Sequence, residues 1–383
     1  MVFRSFWLSL HLGILKTKKD MIRKLFSVAL LMGTILLTGC LSNESDNNQS
    51  QEYVVTKGAY VVNAGDSTNG NKGSLMYIDF STNTINNNVY PVGSNPTDVL
   101  VYGNKVYVVS CDDNAIFVLN KNNNSLIEKI STTEEMGDDA GVEPRYATAY
   151  GSNVYVSTHG GYVAVIDTVT TTLVNKFKVG SYPEGLGVGV TESNSTKEAS
   201  LYVANSDNGN GNGSISKINL GTGSVTEIKN DKIQNPQSVV VAGSTVFYLD
   251  YGKIDNDGNQ KENGVYVISD NTVTKIIDGA TGMSASGTSI VTYNYPKGSS
   301  EVKYSVYNLY YGTLSTFYLS GDSSKPITNP KFISVDPNSG YLTIGNPGYV
   351  NMYDGNGNFY KSYEAGSNPS NICYSYGVEV YKY

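Results

Sequence analysis

A turn marker followed by two short apolar strands recurs along most of the chain. The clearest copy begins at Gly93-Ser94-Asn95-Pro96, continues in an apolar stretch over 98–102, turns, and returns over 105–109. Positions equivalent to Pro96 follow at intervals of 39 to 53 residues, and they are Pro144, Pro183, Pro236, Gly282, Pro330 and Pro369. A repeat of this length with strand periodicity predicts an all-β fold built of repeated sheets.

Each unit continues with a third strand in which apolar residues alternate with small or polar ones. Examples lie at 115–119, 163–167, 215–219 and 264–268. This alternation is typical of sheets that pack face to face. Because seven markers occur, we predict a seven-bladed β-propeller with four strands in each blade.

The first and last units are incomplete, and they complement each other. Residues 58–63, 75–79 and 85–90 supply strands two to four of a blade, and residues 371–376 supply a first strand alone. Pairing of the N- and C-terminal strands would close the ring and remove exposed sheet edges. We place the propeller domain at 53–383, and residues 377–383 could form either a further strand or a tail.

Residues 1–39 predict a targeting segment rather than part of the fold. Within it, 21–39 form a complete signal, with basic Arg23 and Lys24, then an apolar run that ends just before Cys40. This is the export-signal pattern, and it is too short to be a stable membrane span. Residues 40–52 are mostly polar and turn-forming, which predicts a flexible tether.

The end of the signal carries a specific motif. Leu37-Thr38-Gly39-Cys40 resembles the bacterial lipobox, in which the cysteine becomes the lipidated first residue of the mature protein. The resemblance implies lipidation of Cys40 and attachment to the membrane by a lipid anchor only.

Composition and charge limit the partners and the metal sites that the chain could have. The 383 residues include 27 Lys and Arg against 34 Asp and Glu, a balance that disfavours a nucleic-acid partner. Outside the targeting segment one histidine remains, His159, so a cluster of several histidine ligands for zinc or iron is excluded within one mature chain. We predict no metal site and no cofactor.

Three short motifs between the second marker and the third suggest a family. They are Val154-Tyr155-Val156-Ser157-Thr158, Val165-Ile166-Asp167 and Val179-Gly180-Ser181-Tyr182-Pro183. They resemble the Tyr-Val-Thr-Asn-like second strand, the Val-Ile-Asp-like third strand and the Val-Gly-x-x-Pro link of YVTN-repeat propellers, a resemblance that covers about residues 53–376. With the lipobox, the chain is similar to propeller lipoproteins of Bacteroides-type outer membranes, which include cobalamin-capture proteins. This similarity implies a lipid-anchored protein at the cell surface, a cobamide ligand and an outer-membrane transporter as partner.

Ligand contacts are expected on one face of the propeller. The loops between second and third strands and the links between blades gather around the central channel on this side, the looped face. The candidate ligand-binding residues are Asn95, Arg145, Tyr146, His159, Tyr182, Glu184, Gln237, Tyr251 and Tyr293. Tyrosines offer a flat apolar surface with a hydroxyl, and Arg145 is a candidate bidentate donor to an anion.

Some of these residues have plainer interpretations. His159 is either a metal or cobalt ligand or an ordinary hydrogen-bonded histidine, and Arg145 is either an anion donor or part of an interblade salt bridge. Residues 255–259 resemble the start of an EF-hand loop, but the glycine comes too early, so a solvated turn is the better interpretation. Cys111 and Cys373 are expected to be free thiols, because one ends a second strand and the other lies within a first strand.

We expect a non-catalytic protein that captures a ligand. A Ser-His-Asp triad would have to use His159, and no Gly-x-Ser-x-Gly elbow accompanies it. Two alternatives remain, an adhesion or scaffold propeller that binds another protein, and a metal-dependent lactonase that uses Glu and Asn around the channel. A concave aromatic centre would favour small-molecule capture, whereas a flatter, larger apolar patch would favour protein binding.

The lipobox makes a direct prediction about membrane attachment. Wild-type protein should enter the detergent phase, because several acyl chains at about 0.8 kcal/mol per buried methylene give a stable anchor. Cys40→Ala should stay in the aqueous phase. Equal partitioning of the two proteins would show that Cys40 carries no anchor.

Overall fold

The structure is a computed structural model that describes residues 50–65, 70, 72–193, 196–242, 245–254, 260–269, 272–296, 298–321 and 324–382. Over these residues the chain forms seven four-stranded antiparallel sheets, which are the seven blades of a β-propeller. Cys40 and residues 255–259 lie outside the described residues, so the lipidation and EF-hand interpretations stay predictions.

The chain opens with three strands that belong to the last blade, here blade 7. They are β1 (Ser50–Asn63), β2 (Ser74–Asp79) and β3 (Thr84–Asn86). Blade 1 follows with β4 (Pro96–Tyr102), β5 (Lys105–Ser110), β6 (Ala115–Asn120) and β7 (Leu126–Ser131), and after it comes helix α1 (Thr132–Met136). Blade 2 consists of β8 (Pro144–Tyr150), β9 (Asn153–Thr158), β10 (Tyr162–Asp167) and β11 (Leu173–Lys178).

The remaining blades follow in chain order. Blade 3 consists of β12 (Pro183–Ser193), β13 (Thr196–Asn205), β14 (Ser214–Asn219) and β15 (Val225–Ile228), with a 3-10 turn at Asp207–Gly209. Blade 4 consists of β16 (Pro236–Ala242), β17 (Thr245–Asp250), β20 (Gly264–Ser269) and β21 (Thr272–Asp278), and its loop carries the hairpin β18 (Lys253–Ile254) and β19 (Gln260–Lys261). Blade 5 consists of β22 (Gly282–Ser286), β23 (Ser289–Asn294), β24 (Lys303–Asn308) and β25 (Thr313–Phe317). Blade 6 consists of β26 (Phe332–Val335), β27 (Leu342–Asn346), β28 (Tyr349–Tyr353) and β29 (Phe359–Glu364), and β30 (Pro369–Lys382) completes blade 7.

The marker positions set the starts of the first strands, as the sequence predicts. Six of these strands begin at the marker residue itself, and β26 begins two residues after Pro330. Proline is tolerated there because the first residue of a strand need not donate a ladder hydrogen bond.

The ring closes as predicted, by pairing of the two ends of the chain. β1 pairs with β30 in antiparallel register from Ser50 opposite Lys382 to Asn63 opposite Pro369. Each first strand also packs against the first strand of the next blade, and β30 packs against β4 to complete the circle. Residues 377–382 therefore extend a strand, and β1 begins three residues before the predicted domain start at residue 53.

Two local elements differ from expectation. β3 ends at Asn86, so the predicted strand over 85–90 is wrong beyond that residue, and the Val89 N–H instead donates to the Leu75 carbonyl, 2.8 Å away. Helix α1 was not predicted, because its five residues are too few to show a helical period. Within the described ranges, no helix has the length and apolar character needed to cross a membrane.

The hydrophobic core is divided among the seven interfaces between neighbouring blades. Between blades 1 and 2, for example, Tyr107 and Ile116 pack with Val154 and Ala164, all four buried. Each sheet is covered on both faces in this way, which explains the nearly continuous apolar runs in the second and third strands.

Asp336 connects blade 6 to the closing strands. Its carboxylate, in the turn after β26, is buried, with 1% of the residue exposed. Oδ2 accepts a hydrogen bond from Thr56 Oγ1 at 2.6 Å, and Oδ1 accepts one from the Tyr376 hydroxyl at 3.1 Å. Because Thr56 lies on β1 and Tyr376 on β30, one side chain holds both partners of the closing pair.

Removal of this carboxylate should destabilise the whole ring. We expect Asp336→Ala to lower the free energy of unfolding by about 3 kcal/mol, since buried hydrogen bonds to a charged group contribute about 1.5–3 kcal/mol each and are not additive. Urea unfolding measures the change. The matched control is Asp138→Ala, an exposed aspartate, for which a change below about 0.5 kcal/mol is expected. Equal effects of the two substitutions would contradict the assigned role of Asp336.

Candidate functional site

One cavity is a polar basin on the looped face, over blades 6, 7 and 1. It has a volume of about 690 Å³ and is lined by Ala64, Gly65, Gly70, Lys72, Ser94, Asn95, Asp112, Asn329, Lys331, Pro347, Ser367 and Asn368. Three of its wall segments are copies of the repeated marker, residues 94–95, 329 and 367–368, each just before a first strand. The marker therefore forms the wall of the basin as well as the turn that begins each blade.

The charged groups of the basin are mainly cationic. Lys72 and Lys331 are both exposed, and neither ammonium makes a hydrogen bond or ion pair with any described residue. Among the described lining residues the one acid is Asp112, and its Oδ1 accepts a hydrogen bond from Asn95 Nδ2 at 2.9 Å. The basin thus presents two ammonium groups, unpaired among the described residues, beside amides and hydroxyls.

A second, smaller cavity lies on the axis of the ring, and we call it the channel cavity. It has a volume of about 290 Å³ and receives residues from the first strands of all seven blades. Its aromatic wall consists of Tyr146, Tyr251, Tyr293 and Phe332. Lys331 lines both this cavity and the basin, so the two cavities adjoin.

Gly282 explains the position of Tyr293 in the channel wall. A Cβ atom at residue 282 would lie 2.1 Å from the Tyr293 ring, so a larger residue there would displace the ring. This is the one marker position where glycine replaces proline. Burial raises the pKa of Tyr251 to about 12 and also raises those of Tyr146 and Tyr293, so all three phenols keep their protons at neutral pH.

Asp98 is the acid of the channel cavity, and it was not selected from the sequence. Its Oδ1 accepts hydrogen bonds from the Val99 N–H at 2.8 Å and from Asn371 Nδ2 at 2.7 Å, and its Oδ2 accepts one from the Ala147 N–H at 2.7 Å. Burial raises the pKa of Asp98 to about 7, although these three donors favour the ionised form. The only signal in the sequence was a charged residue within the apolar stretch 98–102.

The third part of the looped face is a group of ionisable side chains at blades 2 and 3, the His159 cluster. His159 Nδ1 lies 2.7 Å from Glu143 Oε2, and Nε2 lies 3.0 Å from Glu184 Oε1. Both contacts are hydrogen bonds only if both ring nitrogens carry a proton. Arg145 Nε donates to Glu184 Oε2 at 3.0 Å, which joins blade 2 to blade 3. These contacts match the plainer interpretations, a hydrogen-bonded histidine and an interblade salt bridge.

Two residues of this cluster have an unusual backbone conformation. Asn95, Glu143 and Tyr182 precede the first strands of blades 1 to 3, with φ of 51°, 50° and 50°. Asparagine tolerates this left-handed region, but glutamate and tyrosine are strained there. Glu143 contacts His159 directly, and the Tyr182 ring centroid lies 5.0 Å from that of His159. In blades 2 and 3, the residue that stands in place of the marker asparagine, Glu143 or Tyr182, thus contacts His159.

The nine predicted residues fall into three groups. Tyr146, Gln237, Tyr251 and Tyr293 line the channel cavity, Asn95 lines the basin, and Arg145, His159, Tyr182 and Glu184 belong to the His159 cluster. Gln237 Nε2 is held by Asn235 Oδ1 at 2.6 Å, and the Tyr251 hydroxyl donates to the Thr281 carbonyl at 3.1 Å. Sequence reasoning missed Lys72, Asp98 and Lys331, together with the marker residues as cavity walls.

Among the residues that the structure describes, no group of three or more His, Cys, Asp or Glu side chains is arranged to hold a metal ion. Cys111 and Cys373 are free thiols, and burial raises the pKa of each to about 11. Both thiols are therefore protonated and poorly nucleophilic at neutral pH.

Comparison with known proteins supports the fold. No protein-family model matches the sequence, and no curated protein matches it significantly. Among solved structures, Kuenenia stuttgartiensis hydrazine synthase is similar with a TM-score of 0.56 and 16% identity, over 72% of this chain and 88% of that one. Apo AztD from Citrobacter koseri is similar with a TM-score of 0.53 and 8% identity, over 84% of this chain and 98% of that one. Identities this low establish a common fold and nothing further.

The raised pKa of Asp98 makes stability depend on pH. Between the ordinary value of 3.8 and the folded-state value of about 7, the unfolded chain has lost a proton that the folded protein keeps. A rise in pH through this window therefore favours unfolding. At about 1.4 kcal/mol per pKa unit, we expect the free energy of unfolding to fall by an amount on the order of 4 kcal/mol. This decrease should be complete by about pH 7.

Urea unfolding of wild type and Asp98→Asn at several pH values isolates this effect, because all other acids are common to both proteins. Asparagine cannot ionise, so the stability of wild type relative to the variant should fall from about pH 4 to about pH 7. Parallel stability curves would mean that Asp98 titrates at its ordinary pKa.

Proposed function

We propose that this protein is a non-catalytic binding protein that captures a small molecule on its looped face. The observation that carries the proposal is the pair of adjoining cavities, the basin and the channel cavity, which share Lys331. A concave site with aromatic walls and a few polar groups is the common form of a small-molecule site, whereas protein partners favour flatter patches.

The proposed absence of catalysis rests on how the reactive side chains are held. His159 contacts a carboxylate through each ring nitrogen, so neither nitrogen is placed to activate a serine or cysteine. Arg145 is paired with Glu184, and Asp98 accepts three N–H donors. These groups are fixed to one another, which suits a rigid binding surface.

The path of the chain determines how the proposed lipid anchor would orient the propeller. β1 runs from Ser50 towards the loop that contributes Ala64 and Gly65 to the basin, so it enters blade 7 from the opposite face. An anchor at Cys40 would precede Ser50 by residues 41–49, which span at most about 30 Å. The looped face would then point away from the membrane and stay accessible.

The specific ligand and partner that we propose are a cobamide and an outer-membrane transporter. The resemblance of the repeats and lipobox to propeller lipoproteins of Bacteroides-type outer membranes, a group that includes cobalamin-capture proteins, motivates this choice. The basin suits such a ligand, because a cobamide carries many amide groups and an anionic phosphate, and the basin offers two free ammonium groups, hydroxyls and amides.

Calorimetric titration with cobalamin tests this proposal. We expect saturable binding by wild type and about tenfold weaker binding by Lys331→Ala, since a hydrogen bond to a charged group contributes about 1.5–3 kcal/mol and Lys331 is partly screened by water. The matched control is Lys197→Ala, which removes an exposed lysine from the β12–β13 hairpin on the opposite face. It should bind as wild type does.

Two outcomes would count against the proposal in different ways. If neither cobalamin nor cobinamide produces heat with wild type, the cobamide assignment is wrong. If cobalamin binds but Lys331→Ala keeps full affinity, the ligand occupies another surface and the assignment of the two cavities is wrong.

A further inference from the structure

The channel cavity has features that the basin lacks. Three tyrosines and Phe332 surround it, together with aliphatic Leu186, Leu249, Met283 and Ile333. Its volume of about 290 Å³ is less than half of the 690 Å³ of the basin. A cavity of this size and lining accommodates one compact ring rather than an extended chain.

Two phenol hydroxyls in this wall have no hydrogen-bond partner in the part of the chain that the structure describes. Among the described residues, the Tyr146 and Tyr293 hydroxyls make no hydrogen bond, whereas the Tyr251 hydroxyl is bound to the Thr281 carbonyl. Tyr293 is only 5% exposed, yet its hydroxyl is not among the fully buried unpaired atoms. The hydroxyl is therefore open to the cavity, where a ligand can supply the missing hydrogen bond.

The electrostatics of the channel cavity favour an uncharged ligand. Asp98 and Lys331 are the charged residues that line it. Both oxygens of Asp98 already accept N–H donors, and Lys331 stands where the cavity meets the basin. Because the rest of the wall is uncharged, a ligand charge placed away from Lys331 would lose hydration without gaining a partner.

We propose that the channel cavity binds a compact, neutral, planar heterocycle. The ring packs against the tyrosines, and an unprotonated ring nitrogen accepts a hydrogen bond from the Tyr293 hydroxyl. If the ring carries an anionic substituent, that group would lie outside the channel cavity, beside Lys331 and in the basin. The inference rests on the proposed capture function, because it takes the looped face as the binding face.

Two isosteric probes test the hydrogen bond. Indole has the size and N–H group of 7-azaindole but lacks its acceptor nitrogen. In saturation-transfer NMR titrations of the full chain, 7-azaindole should bind about tenfold more tightly than indole. Tyr293→Phe keeps the ring and removes the hydroxyl, so it should weaken 7-azaindole about tenfold, leave indole unchanged and abolish the difference between them. Tyr304→Phe, at another buried tyrosine of blade 5 outside the cavity lining, should preserve the difference.

A second variant tests the location independently of the hydroxyl. Ser238 lines the channel cavity, and its side chain makes no hydrogen bond with a described residue. Ser238→Phe should fill the cavity and block both probes, and the urea unfolding curve of the variant shows whether it is folded. The inference is overturned if wild type binds neither probe saturably, if folded Ser238→Phe keeps its affinity, or if the difference between the probes persists in Tyr293→Phe.

These results separate the inference from the proposed function. Cobalamin binding with no saturable probe binding would leave the capture function standing and remove the heterocycle site. Tyr293-dependent probe binding without any cobalamin heat would establish the heterocycle site and remove the cobamide assignment.

Discussion

The pairing of β1 with β30 is the contact on which the rest of the molecule depends. It joins the two ends of the chain within blade 7, so the first strands of blades 6, 7 and 1 become neighbours. The basin takes its walls from residues 64–112 and from residues 329–368, which lie near opposite ends of the sequence. Without closure these walls would not be held at a fixed position relative to each other. Asp336 stabilises the closed ring, because it accepts hydrogen bonds from both β1 and β30.

The closed ring also determines where charge and hydroxyl groups stand. On the side of blades 2 and 3, Glu143, His159, Glu184 and Arg145 satisfy one another. On the side of blades 6, 7 and 1, the two basin lysines have no partner among the described residues. Between them lies the channel cavity, whose wall combines aromatic rings with polar groups and includes Asp98 and Lys331. A ligand therefore meets a basin with two lysines beside a cavity with aromatic rings, and ordering of the loops adds little entropic cost.

The strands could be predicted from the sequence because each strand shows its own burial pattern. The apolar stretch 115–119 and proline at a strand start are local signals, and strands form at both places. The expected alternation is wrong for 115–119, because all five residues are buried between two blades. The bounds of the short β3 and the presence of the five-residue α1 could not be predicted, because too few residues carry their pattern. The cavities could not be predicted for a different reason. Ser94 and Asn95 have the composition of a turn, and their second role as a wall depends on neighbours far away in sequence.

The site residues were likewise predicted only where a local sequence signal exists. Tyr146, Tyr251 and Tyr293 were selected because tyrosine near a channel is a suitable contact, and all three do line the channel cavity. Lys331 was not selected, because a single lysine beside a proline looks like any surface residue. Asp98 was hidden in an apolar stretch, and only its position on the axis brings its carboxylate to Asn371 of the closing strand.

The most direct test of the account is hydrogen–deuterium exchange of the full chain with and without saturating cobalamin. If the marker segments form the binding wall, exchange should slow in peptides around residues 94–98, 329–333 and 367–371. The turns on the opposite face around 121–124 and 354–358 should not change. Protection confined to those turns, or unchanged exchange at all three marker segments, would contradict it.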